Sequence, residues 1–149
     1  MHFDILNKKD YTKILEKIEK QFDTEKLVFE YGFIQVKDKI YLISRDLARI
    51  NYKDLRINNI GLYFCTLEKD GIRMSIEGSQ LIGNKAKKVL ELDNGELKLW
   101  LSGIPIENKQ GSGYYLVKNG NDFYGCGKIK ENILHNYVPK ERRIKELIL

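Results

Sequence analysis

The chain has 149 residues, of which 42% are hydrophobic and 32% charged, with only 12 glycines and 2 prolines. That is an ordered, soluble composition, enough for one ordinary domain or two very small ones, and it argues against a linker-rich or disordered protein. The net charge is +5 and unevenly placed: residues 1–82 carry 14 Lys and Arg against 13 Asp and Glu, and residues 83–149 carry 12 against 8. A basic excess at one end is compatible with a polyanionic partner.

No apolar run approaches the roughly 20 residues that span a bilayer, so no membrane association is expected. The opening "MHFDILNKKD" has no basic region followed by an apolar core, so no signal peptide is expected. Cys65 and Cys126 are the only cysteines and lack metal-site spacing. A reduced, cytoplasmic protein without a disulfide framework is the simpler reading. Richness in Lys, Ile, Glu, Asn and Tyr is compatible with a thermophilic, AT-rich organism.

In chain order, "DYTKILEKIEKQF" places Tyr11, Ile14, Leu15, Ile18 and Phe22 on one helical stripe, with Asp10 as its N-cap. "KLVFEYGFIQVKDKIYLISR" reads as two strands around a Lys-Asp-Lys turn. "DLARI" reads as one or two helical turns. "NNIGLYFCTLEKDGIRMSIEGSQLIG" gives two further strand runs around Lys69-Asp70-Gly71, where Asp-Gly is a strong hairpin turn. The first half is thus a helix followed by an antiparallel sheet.

"KKVLEL" is a short strand. In "DNGELKLWLSG", Asp93 and Glu96 make a capping box, and Gly103 fits the left-handed position that ends the helix. Leu97 and Trp100 share its buried face, and Lys98 points out. "GYYLV", "DFYGCGKI" and "ILHNYV" follow as strands joined by polar turns. "RIKELIL" closes the chain as a last strand or a short helix. The fold expected is α+β: a helix-plus-antiparallel-sheet domain over residues 1–84, then a small β-barrel domain over residues 85–149, packed tightly without a linker. Gly113, Gly125 and Gly127 would supply the bends that a small barrel needs.

Candidate chemistry is sparse. No phosphate-loop pattern is present, and "GSGYYLVKNG" leads into no helix. Cys126, with His135 across a hairpin, has the elements of a nucleophile and base, but a small buried residue in a bent strand is the better account. Cys65 reads as core. His2 and His135 have no metal-ligand spacing, and the carboxylates form no acid–base pair, so no catalytic residue, metal or cofactor is expected. The stronger signal is Lys140, Glu141, Arg142, Arg143 and Lys145 behind the stiff Pro139. Arg forks and Lys charges can hold phosphates, and Tyr114, Tyr115 and Tyr137 offer rings for stacking. An ordinary basic turn beside tyrosines half-buried in a barrel explains the same residues.

"LWLSG", "LVKNGNDFYGCGK" and "NYVPKERR" resemble a PUA domain, the small RNA-binding pseudobarrel, and most closely the PUA-like domain of Sun-family RNA (cytosine-5) methyltransferases. The chain as a whole also resembles, more loosely, the pre-PUA plus PUA layout of a large-subunit ribosome-biogenesis family. The methyl-donor-binding domain of a Sun-family enzyme has no counterpart in these 149 residues, so the resemblance implies the RNA-holding part without the chemistry. It also implies RNA contacts at Lys98, Gly103, Ile104, Pro105, Gly113 and Tyr114, with Lys128 and the "PKERR" segment beside them.

The function expected is non-catalytic binding of structured RNA, rRNA or tRNA, in ribosome biogenesis or RNA modification. The RNA-contacting set is then Lys98, Gly103, Ile104, Pro105, Gly113, Tyr114, Lys128, Tyr137, Lys140, Arg142 and Arg143, and no enzyme activity is expected. The alternative is a detached recognition subunit that positions tRNA for a partner such as a methyltransferase, with the first sheet as the protein-binding face. A ribosome-assembly factor is a further candidate partner.

Overall fold

The computed structural model describes residues 2–44 and 61–143. The expected "DLARI" helix and the closing "RIKELIL" element, with Lys145, lie outside the described residues.

A short edge strand β1 (Asp4–Ile5) leads into helix α1 (Lys8–Phe22). The helix begins a turn earlier than expected. Asn7, not Asp10, is its N-cap: the Asn7 side chain accepts from the Asp10 N–H, and Asp10 becomes a first-turn acid favoured by the helix dipole. Ile14, Leu15, Ile18 and Phe22 form the buried stripe, as their spacing requires.

Four strands follow: β2 (Tyr31–Val36), β3 (Lys39–Ser44), β4 (Leu62–Glu68) and β5 (Gly71–Met74). With β1 they make one antiparallel sheet in sequential order. Phe33, Ile40, Leu42 and Phe64 face α1, while Ile34, Val36 and Ile43 pack with Phe3 on the opposite side. Both faces of β2 and β3 are covered, which explains their near-continuous apolar runs.

The second strand run was expected to continue past Met74. Instead the chain turns into helix α2 (Ile76–Ile82), capped by Ser75, whose hydroxyl accepts from the Gly78 N–H. A 3₁₀ turn (Gly83–Lys85), strand β6 (Val89–Glu91) and helix α3 (Asn94–Leu101) follow. The capping box of Asp93 and Glu96 forms as expected, and Gly103 ends the segment at φ +80°.

Strands β7 (Gly113–Asn119), β8 (Asp122–Lys130) and β9 (Ile133–Asn136) complete a four-stranded sheet. β6 pairs parallel to β7, and the other pairs are antiparallel. Gly120-Asn121 and Glu131-Asn132 are the two-residue hairpin loops, and a bulge at Tyr124-Gly125 of β8 lies opposite Val117 of β7. The fold is a mixed α/β one, with an antiparallel first sheet and a mixed second sheet.

The second half has its own core, Trp100 with Leu92, Ile106, Val117, Ile129, Leu134 and Val138. A larger core crosses between the halves: Phe22, Phe64 and Met74 pack with Tyr114, Leu116, Phe123 and Cys126. Helix α2 is the wedge at this junction, since its Ser79 hydroxyl accepts from the Gly125 N–H at 2.8 Å. From α1, the Gln21 amide both donates to the Ile72 carbonyl and accepts from the Ile72 N–H.

Candidate nucleic-acid interface

A cleft of about 480 Å³ opens where the two sheets meet. The first half supplies Lys39, Tyr63, Arg73 and Glu77. The second half supplies Tyr124, Asn136, Tyr137 and the segment Pro139–Arg143. Five cationic side chains, Lys39, Arg73, Lys140, Arg142 and Arg143, line it against two carboxylates, Glu77 and Glu141. The wall is therefore net positive, as a polyanion site requires.

The cations are held by identifiable contacts. The Arg73 guanidinium lies 4.8 Å from the Tyr137 ring centroid and 3.5 Å from Glu68. Lys39 sits 5.5 Å from the Tyr63 ring. Arg142 pairs with Glu77 of α2, and the Arg143 Nε donates to the Val138 carbonyl at 3.0 Å. These contacts fix Arg73, Arg142 and Arg143 before any ligand arrives, which lowers the ordering cost of binding. Burial raises the phenols of Tyr63 and Tyr137 above their ordinary value, so both rings are neutral donors near pH 7.

The cleft also holds an unsatisfied group. Asn136 ends β9, and its Oδ1 accepts from the Val138 N–H at 3.3 Å. Its Nδ2 is buried and has no hydrogen-bond partner among the described residues. An orphaned buried donor costs free energy unless something completes it.

The structure brings some of the expected contact residues together and separates others. Tyr137, Lys140, Arg142 and Arg143 line the cleft. Gly103 lies beside it, because a Cβ there would stand 2.5 Å from the Arg143 Nε. The bare glycine gives that guanidinium its seat. Ile104, 43% exposed, and Pro105 follow on the open surface. Half-buried Lys98 sits on α3, outside the cleft. Gly113, at φ +82°, is also outside it and has Lys88 as its neighbour.

Tyr114 and Lys128 have a different place. Tyr114 is 5% exposed, and its hydroxyl donates to Asp70 Oδ1 at 3.0 Å. Lys128 pairs with the same carboxylate. Tyr114 therefore presents no open ring for stacking, a correction to the sequence expectation, because it packs into the core between the halves. Lys39, Tyr63, Arg73, Tyr124 and Asn136 are cleft residues that sequence reasoning missed. No local motif marks them; residues 39, 73 and 136 converge only through the packing of the two sheets.

The alternative chemistry finds no support in the geometry. Cys126 is buried, its thiol pushed up to about 12 by burial, and its Sγ accepts from the Met74 N–H at 3.1 Å. His135 is exposed and opposes Lys128 in the ladder. The Cys65 thiol is likewise raised by burial. Among the described residues no helix is long and apolar enough to cross a membrane, and no group of three His, Cys, Asp or Glu could hold a metal ion.

Residues 87–144 match the family model described as the methyltransferase RsmF PUA domain. The chain is 28% identical over 91 residues to a ribosomal RNA small subunit methyltransferase F of Vibrio cholerae, covering 59% of this chain and 19% of that protein. It is 24% identical over 147 residues to the enzyme of the same name from Vibrio campbellii, covering 93% of this chain and 30% of that protein. The chain thus spans about a fifth to a third of the length of the curated relatives it matches. The second alignment runs through the first half as well as the second. Residues 87–144 are therefore similar to the PUA domain of methyltransferase RsmF.

Proposed function

We propose that this chain binds structured RNA, rRNA or tRNA, through its PUA domain and the cleft beside it, without catalysing a reaction itself. Its place would be in ribosome biogenesis or RNA modification, and its location cytoplasmic. The observation that carries the reading is the cleft: the PUA segment contributes Tyr137, Lys140, Arg142 and Arg143 to it, and the first half adds Lys39 and Arg73. Cations held beside neutral tyrosines suit phosphates and bases together. In this reading the four-stranded sheet, extended by the Ile106–Leu134 bridge, is the wall of a small barrel. The buried, protonated Cys126 supports a structural role for that residue.

Fluorescence anisotropy with tRNA and with small-subunit rRNA fragments at fixed salt tests the proposal. Binding of at least one class tighter than the non-specific range of about 10⁻⁴–10⁻⁶ M is expected. Binding of both no tighter than that range would overturn it.

The names of the relatives favour a second reading. They are called methyltransferases, and this chain matches less than a third of their length. The chain would then hold RNA for a modifying enzyme. Recovery of a methyltransferase with the purified protein, without added RNA, would favour that role over independent binding.

A further inference from the structure

We propose that Glu77 is a built-in competitor of the RNA backbone: its carboxylate holds the Arg142 guanidinium, and a phosphate binding there must displace it. This rests on the RNA-binding reading and adds a residue that sets the strength of that binding. Three observations carry it. Glu77 and Arg142 both line the cleft, from different elements: Glu77 in the first turn of α2, Arg142 in the 3₁₀ turn Lys140–Arg142. The two side chains form an ion pair there, Arg142 Nη1 to Glu77 Oε1. Both stay open to solvent, with Arg142 45% and Glu77 32% exposed.

A guanidinium takes a carboxylate and a phosphate through the same N–H fork. Glu77 therefore occupies a donor that a phosphate would use. An ion pair this open to water is weak, so a polyanion can exchange for it. Glu77 also seats Arg142, which favours binding. That benefit is one side chain's rotamer freedom, whereas the displaced charge repels every phosphate in the cleft. Glu141 is the other carboxylate of the lining, and it is exposed. Among the described residues it pairs with no cation, so it adds charge to the cleft without filling a phosphate seat.

The test is a double-mutant cycle of Glu77→Gln and Arg142→Gln in the intact protein, titrated with tRNA and with a small-subunit rRNA fragment, with melting curves to show that each variant is folded. Glu77→Gln keeps the shape of the side chain and removes its charge. In the unaltered background it is expected to tighten binding about three- to fivefold, the worth of one partly exposed ion pair, and to steepen the salt slope by about one contact. In the Arg142→Gln background the same change should tighten binding less than about twofold, because no cation is left to free. Glu141→Gln, made alone, asks the same question without weakening the site, and it too should be worth less than about twofold. An equal gain in both backgrounds, or from Glu141→Gln, would overturn the proposal, since loss of any negative charge would then serve. Weaker binding by Glu77→Gln would also overturn it and make Glu77 a positioning residue for Arg142. Either result leaves the RNA-binding reading standing. Failure of every one of these proteins to bind either RNA would overturn both.

Discussion

The Tyr114 hydroxyl donates to the Asp70 carboxylate at 3.0 Å, and that contact ties β7 of the second half to the β4–β5 turn of the first. Lys128 of β8 pairs with the same carboxylate. The hydrogen bond from Lys128, and then the one from Tyr114, holds the Asp70 carboxyl below its ordinary value. A lowered carboxylate contributes stability that is present above its unfolded-state value and lost as pH falls through its folded one. Asp70→Asn is therefore expected to lower the melting temperature at pH 7, and the gap from the unaltered protein should close as pH drops through the acid range. Tyr114→Phe should lower it by a few degrees. Melting curves between pH 7 and pH 2 check both, and a gap that widens on acidification would contradict the assignment.

Gly127 is where the second half has no room. A Cβ there would stand 2.7 Å from the Trp100 ring and 2.7 Å from the His135 carbonyl. Trp100, 1% exposed, fills the core of the second half, and its indole N–H donates to the Tyr124 carbonyl at 2.9 Å. Gly127→Ala is expected to cost about 2–3 kcal/mol, in the upper range of overpacked cores. Denaturant unfolding measures it, and a loss under ~0.5 kcal/mol would show that β8 and the indole can part freely.

Cys126 is expected to behave as core. With its thiol pushed up to about 12 by burial, it should resist iodoacetamide at pH 8 while the protein is folded and react once it is unfolded. Cys126→Ser should leave RNA affinity within about twofold while costing on the order of 1–3 kcal/mol of stability, since a hydroxyl is buried in place of a thiol. Rapid labelling of the native protein would place Cys126 at an open, reactive site instead.

The sequence reveals what local pattern controls. Helix α1 follows from one apolar stripe, α3 from its capping box, and each described hairpin from its turn residues. Helix α2 was hidden because Gly78 occupies the N3 position where an acid would have signalled a capping box, and because Ile76, Leu81 and Ile82 read equally well as strand. The cap of α1 moved to Asn7 because Lys8 and Lys9 are good helix formers and extend the helix by a turn. For the site, the run from Tyr137 to Arg143 was legible as a basic, aromatic segment. Arg73 and Lys39 were not, because a single Arg or Lys in a strand looks like ordinary surface until the second sheet is packed beside it. The reading of Tyr114 as a stacking platform failed because nothing local marks Asp70, 44 residues away, as its partner.

Arg73 separates the composite cleft from a site confined to the PUA segment. Arg73→Gln removes a cation that the first half contributes and that Tyr137 holds in place. RNA affinity is expected to fall about three- to tenfold, with the salt slope reduced by about one contact. An unchanged affinity and slope would confine the interface to the second half.

The most direct test of the central claim is RNA affinity across a salt series, for the unaltered protein and for the triple change of Lys140, Arg142 and Arg143 to Glu. About four to six phosphate contacts give an expected log–log slope of roughly −3 to −5, and the triple change should remove both the tight binding and most of that slope. A slope near zero, or tight binding that survives the triple change, would contradict RNA binding at this cleft.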